Sequence, residues 1–142
     1  MFYRIKRWLY ICLSVAVSLL IFIGSKYAFV TRLSAISGER VYYLDAQSSC
    51  ALYKNELALQ DIFRVKGECV RFVGEEENLP SLLEKLNAEI LFTERAGGSV
   101  SYYCYAQDLS GGICINGRLV NVQIAFHGSL CAVGTPLIFD GF

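Results

Sequence analysis

The chain has 142 residues, 54% hydrophobic, 13% aromatic and 18% charged, with thirteen Lys/Arg against thirteen Asp/Glu. The neutral total is uneven: residues 1–26 hold four cations and no acid, leaving nine cations against thirteen acids, net −4, in residues 27–142. That sign excludes a general nucleic-acid binder, whose affinity comes from a basic face, and the aromatic content excludes a disordered chain.

Trp8–Ser25 is a run of eighteen uncharged residues behind Arg4, Lys6 and Arg7. As a helix rising about 1.5 Å per residue it crosses most of a hydrocarbon core of about 30 Å. The reading is an uncleaved transmembrane anchor. A signal peptide is the alternative, but its apolar stretch is normally shorter and followed by small residues at a cleavage site. Here the run ends in Gly24-Ser25-Lys26, and Leu33-Ser34-Ala35 lies far beyond it. A buried core helix is the third reading, opposed by Leu, Ile and Val on every helix face. Arg4, Lys6 and Arg7 crowd the leading side, while Lys26, Arg32 and Arg40 are spread over the trailing side. The bias predicts a single-pass cell-membrane protein with a cytoplasmic N-terminus and an extracytoplasmic domain; after cleavage the domain would instead be secreted. The expected segments are 1–7 as basic start, 8–25 as anchor, 26–38 as polar connector and 39–142 as domain.

Val41–Leu44 reads as a brief strand, and Cys50–Phe63 as a helix with Leu52, Leu59, Ile62 and Phe63 inward. An extended stretch, Val65–Val73, is interrupted at Gly67. Glu75-Glu76-Glu77 reads as a solvated turn, and Asn78 with Pro80 opens a helix over Ser81–Asn87 with Leu82, Leu83 and Leu86 inward. Period two then takes over. Ile90–Glu94 is a strand. Ser99–Ala106 puts Val100, Tyr102, Cys104 and Ala106 on one face and Tyr103 and Tyr105 on the other. Asn116-Gly117, between Ile113–Ile115 and Arg118–Val120, is the strongest hairpin signal, because both residues tolerate positive φ. In Arg118–His127, Val120, Val122, Ile124 and Phe126 point inward, opposite Asn121, Gln123, Ala125 and His127. Cys131–Phe139 is extended, with Gly134-Thr135-Pro136 marking a bulge or an edge. The fold class is α+β: a transmembrane helix, then a two-layer domain of mostly antiparallel sheet with two helices on one face.

Ser99–Tyr103, Val120–Ala125 and Ala132–Ile138 together resemble the C-terminal part of YwmB-like proteins, uncharacterised envelope proteins of spore-forming bacteria with a TATA-box-binding-protein-like fold. The resemblance covers residues 99–139. It implies an envelope role, carries no catalytic residue, and, since family members have two related halves, implies a homodimer that completes the fold.

The polar sheet face, with Tyr103, Tyr105, Asn121, Gln123 and His127, is the candidate binding surface, since it mixes flat aromatic area with hydrogen-bonding groups. The expected partner is an envelope protein or a second copy, without nucleic acid or small-molecule cofactor. The enzymatic alternative is a thiol enzyme pairing a sheet cysteine (Cys104, Cys114 or Cys131) with His127, which requires hydrogen-bond reach. Period two already puts Cys104 and His127 on opposite faces. Cys50, Cys69, Cys104, Cys114 and Cys131 lack C-x-x-C spacing and His127 is the sole imidazole, so no metal site is expected; a disulfide outside the cytoplasm stays open, beside buried free thiols. Glu75/Glu77 and Glu89/Glu94 read as solvated surface, not as a hydrolase couple. Gly97-Gly98 and Gly111-Gly112 lack the strand–helix setting of a phosphate loop.

Overall fold

The computed structural model describes residues 2–30, 32–45 and 57–140. Helix α1 (Phe2–Val30) contains a 22-residue apolar window, Ile5–Lys26, about 33 Å long at the usual helical rise. None of that window is buried against protein, and Trp8 and Leu20 are 68% and 69% exposed. A core helix would be covered by its own domain, so that reading is excluded. The helix is long and apolar enough to cross a membrane, as an anchor or as a signal sequence. Its hydroxyls suit a solvent without water: Ser14 donates to Ile11 O, Ser18 to Ser14 O and Ser25 to Phe22 O, all within 2.9 Å.

Behind it lies one antiparallel sheet of β1 (Glu39–Tyr43), β2 (Gly67–Val73), β3 (Ala88–Ala96), β4 (Ser99–Ala106), β7 (Val122–His127) and β8 (Leu130–Thr135). Their order is β1-β2-β8-β7-β4-β3, and β5 (Ile113–Ile115) with β6 (Arg118–Val120) forms a separate hairpin. That hairpin turns on Asn116 and Gly117, both at positive φ, where the sequence places it. One sheet face is apolar through Val70, Val133, Ile124, Tyr102 and Cys104. A 3-10 turn (Glu76–Asn78) and helix α2 (Leu79–Leu86) supply the helical layer, with Leu79, Leu82 and Leu86 of α2 buried at a spacing of three and four. Each such leucine contributes roughly 1.5–3 kcal/mol. The α+β class and two-layer plan therefore hold.

Four local expectations change. Leu33 and Ile36 are buried in the main core, so the supposed polar connector is partly a domain element. Of the expected helix Cys50–Phe63, residues 50–56 lie outside the described residues, and 59–63 form turns in which Ile62 is buried while Leu59 and Phe63 are exposed. The continuous strand Arg118–His127 breaks at Asn121. Finally, Gly134 lies in β8, an interior strand between β2 and β7, so the stretch around Pro136 is no sheet edge. Beyond Thr135 the chain folds back across the second sheet face, where Ile138 and Phe139 cover Val41, Tyr43, Cys69 and Ala132. Asp140 pairs with Arg71 and accepts from the Tyr43 hydroxyl, fastening this tail.

Candidate functional site

The tail covers the β1-β2-β8 side of the second face and reaches Gln123 of β7. The β4-β3 side is partly exposed, Phe92, Tyr103 and Tyr105 being half-buried while Ala125 of β7 is buried, and register decides what it carries. Tyr103 lies opposite Gln123 on β7 and Phe92 on β3, Ser101 opposite Ala125 and Glu94, and Ser99 opposite His127 and Ala96. The Tyr103 ring stacks on Phe92 with centroids 4.5 Å apart and planes inclined by 17°. Its hydroxyl donates to Glu94 Oε2 at 3.0 Å. Burial first, then the Glu94 carboxylate, raises the Tyr103 pKa, so the phenol stays a neutral donor. Tyr105 is half-buried opposite Glu89.

Two of the remaining expected residues join this surface. Gln123 sits at the seam: its Nε2 donates to Ser101 Oγ at 3.3 Å, and its Oε1 accepts the Ile138 amide of the tail at 3.1 Å. His127 is exposed at the far end, with Nδ1 2.7 Å from Ser99 Oγ.

Asn121 does not belong to it. The side chain is fully buried, accepting Ala106 N–H at 2.7 Å and donating to Ala106 O at 2.8 Å and Leu109 O at 2.7 Å. It supplies a strand-like pair of bonds to the end of β4, which is why the ladder breaks there. Leaving the buried Ala106 N–H without this acceptor would cost about 1–3 kcal/mol.

Phe92 is the residue that sequence reasoning missed. Simple alternation keeps Ile90 and Phe92 on one face, but a β-bulge between them puts Ile90 opposite Cys104 on the core side and Phe92 opposite Tyr103 on the open side. Arg118 Nη1 caps the bulge by donating to Leu91 O at 2.6 Å.

The thiol alternative loses its geometry. Cys104 and His127 are on opposite faces and five residue steps apart along β4, roughly 17 Å at strand spacing. Burial pushes the Cys104 and Cys131 thiols up to about 12, and Cys69, raised as well, lies under the tail. A nucleophile needs the thiolate, and burial disfavours it at all three. Cys114 is exposed on the β5–β6 hairpin, outside the sheet that carries His127.

Two concavities flank the sheet. One, of about 30 Å³, is lined by Arg32, Lys66, Glu68, Thr135 and Pro136, and at that size holds little more than about one water. The other, about 390 Å³, opens beside the exposed Glu76–Arg95 pair at the β3–β4 turn. Glu76 also accepts from the Tyr102 hydroxyl, and this bond, ahead of Arg95, lowers its pKa. No three His, Cys, Asp or Glu side chains converge as a metal site among the described residues.

Fold and surface together define a small α+β domain on an apolar helix, with one sheet face half sealed by its own tail and half open as an aromatic shelf. No family model matches the chain, and neither a curated protein nor a solved structure matches it.

Proposed function

We propose that this chain is a single-pass membrane protein, anchored through residues 8–25, whose extracytoplasmic domain binds a partner in the cell envelope without catalysis, as a YwmB-like protein. The observation carrying the binding role is the open shelf. Where the second sheet face carries Val41, Tyr43, Cys69 and Ala132, the chain covers it with Ile138 and Phe139; where it carries Phe92, Tyr103 and Tyr105, the rings are only half-buried. Aromatic rings bearing hydrogen-bonding edges are the groups that dominate protein interfaces. The basic residues before the helix support a cytoplasmic N-terminus. The resemblance over residues 99–139 falls on β4 through the tail, the part that builds the shelf and its border.

The partner is another envelope protein or a second copy of the chain. Crosslinking on intact membranes tests this. Tyr103→Ala combined with Tyr105→Ala should weaken partner capture roughly tenfold or more, the loss expected when aromatic anchors are truncated. A circular-dichroism melt still showing a folded domain would accompany it. Undiminished adduct from the double variant overturns the reading.

A further inference from the structure

Few residues separate the helix from the domain core. Helix α1 ends at Val30, and Leu33, three residues later, is fully buried in the domain core with its amide donating to Glu68 Oε2 at 3.2 Å. Arg40 Nη2 ties the same turn down by donating to the carbonyls of Leu33 and Ile36. The folded core thus begins at Leu33, about two helical turns' worth of chain beyond Lys26, the end of the apolar window.

One part of the domain reaches back alongside the helix. Hydrogen bonds from Asp61 N to Ala58 O, and from Arg64 N and Val65 N to Asp61 O, curl residues 58–65 into successive turns. Ile62 points into the domain, while Leu59 and Phe63 point out, 71% and 55% exposed. The Phe63 ring stacks on Phe22 of α1, with centroids 6.0 Å apart and planes inclined by 21°. Phe22 lies four residues inside the window, about 6 Å below its end. A ring stacked there is at the boundary of the hydrocarbon. Arg64 and Lys66, both exposed, follow immediately, where lipid phosphates would lie.

We infer that the Leu59–Phe63 turn is a lipid-seated foot: both side chains enter the outer margin of the bilayer that α1 crosses, fixing the domain's orientation against the membrane. This rests on α1 spanning a membrane. The occupant is lipid and not a protein because the patch is continuous with the lipid-facing surface of α1 through Phe22. Exposed apolar groups at that depth meet acyl chains before anything else.

The chain has one tryptophan, Trp8, so a Trp8→Phe, Phe63→Trp variant reports from the foot alone. In phosphatidylcholine vesicles, acyl chains brominated close to the glycerol should quench most of the introduced indole's emission, while aqueous iodide quenches little. In unbrominated vesicles, trypsin should cut after Arg64 slowly in the native chain and rapidly in Leu59→Ser, Phe63→Ser. Flotation in alkaline carbonate is scored on the same preparations. A protein that floats while its indole answers to iodide alone overturns the foot and leaves the anchor standing. An indole reached by neither quencher marks a protein cover and also overturns it. Failure to float overturns anchor and foot together.

Discussion

At Glu68 the sheet places a carboxylate that is 1% exposed, beside Arg40 and Arg32. Its Oε2 accepts the Leu33 amide, and its Oε1, without a hydrogen bond, relies on the Arg40 guanidinium 3.3 Å away. Burial outweighs the Leu33 bond and the Arg40 charge, so the pKa rises above the ordinary value near 4.5. A carboxyl raised by folding contributes its stability below the unfolded value and loses it as pH rises through the folded value. Glu68→Gln removes that slope while keeping an acceptor for Leu33. Thermal melts from pH 4.5 to 7.5 should show the variant gaining on the native chain as pH increases; a constant difference would refute the argument. Asn121 teaches a related lesson. In the sequence it is a polar residue in an alternating strand, and alternation assigns it to the surface with Gln123. Its three backbone partners come from Ala106 and Leu109, on another strand and the loop after it.

Among the elements, the returning tail depends on missing side chains. A Cβ on Gly134 would stand 2.8 Å from Ile138 N and Leu137 C, and one on Gly67 would meet Phe139 at 2.7 Å. Gly134→Ala therefore pushes against backbone that cannot swing aside. The expected destabilisation is about 1–3 kcal/mol, the range for overpacking. Hydrogen exchange should localise it: the Ile138 amide, bonded to Gln123 Oε1, loses protection, while Ser99–Ala106 amides keep theirs. Equal protection of Ile138 in both chains would show that the tail is not held by this close fit. The strands were largely readable, since β4 and β5 begin and end, and β6 begins, where alternation and the Asn116-Gly117 turn place them. The bulge in β3 was not, because an extra residue leaves no mark on composition and shows only against a partner strand.

For the whole molecule, the arrangement is an apolar helix with none of its apolar window buried, joined through a buried Leu33 to a domain whose helical layer closes one sheet face. Such a helix is stable where its backbone bonds are satisfied internally and its side chains meet lipid. An anchor and a signal sequence predict different mature chains. N-terminal sequencing of the protein from membranes should give a start upstream of Trp8, with the helix retained. A start beyond Lys26 would mean that the helix is removed and would require another attachment for the domain.

What the sequence determined by itself was the order of apolar and polar residues, and with it everything local. The uncharged run of α1, the period-two strands, the Asn116-Gly117 turn and the buried side of β4 all follow from neighbours a few residues apart. Only tertiary structure decided the sharing of the second sheet face. The tail sealing one half, Asn121 turning inward, Phe92 stacking on Tyr103 and Phe63 lying against Phe22 each join residues distant in the chain. Pairings of that kind are set by register and close packing, which exist once the strands and helices have met.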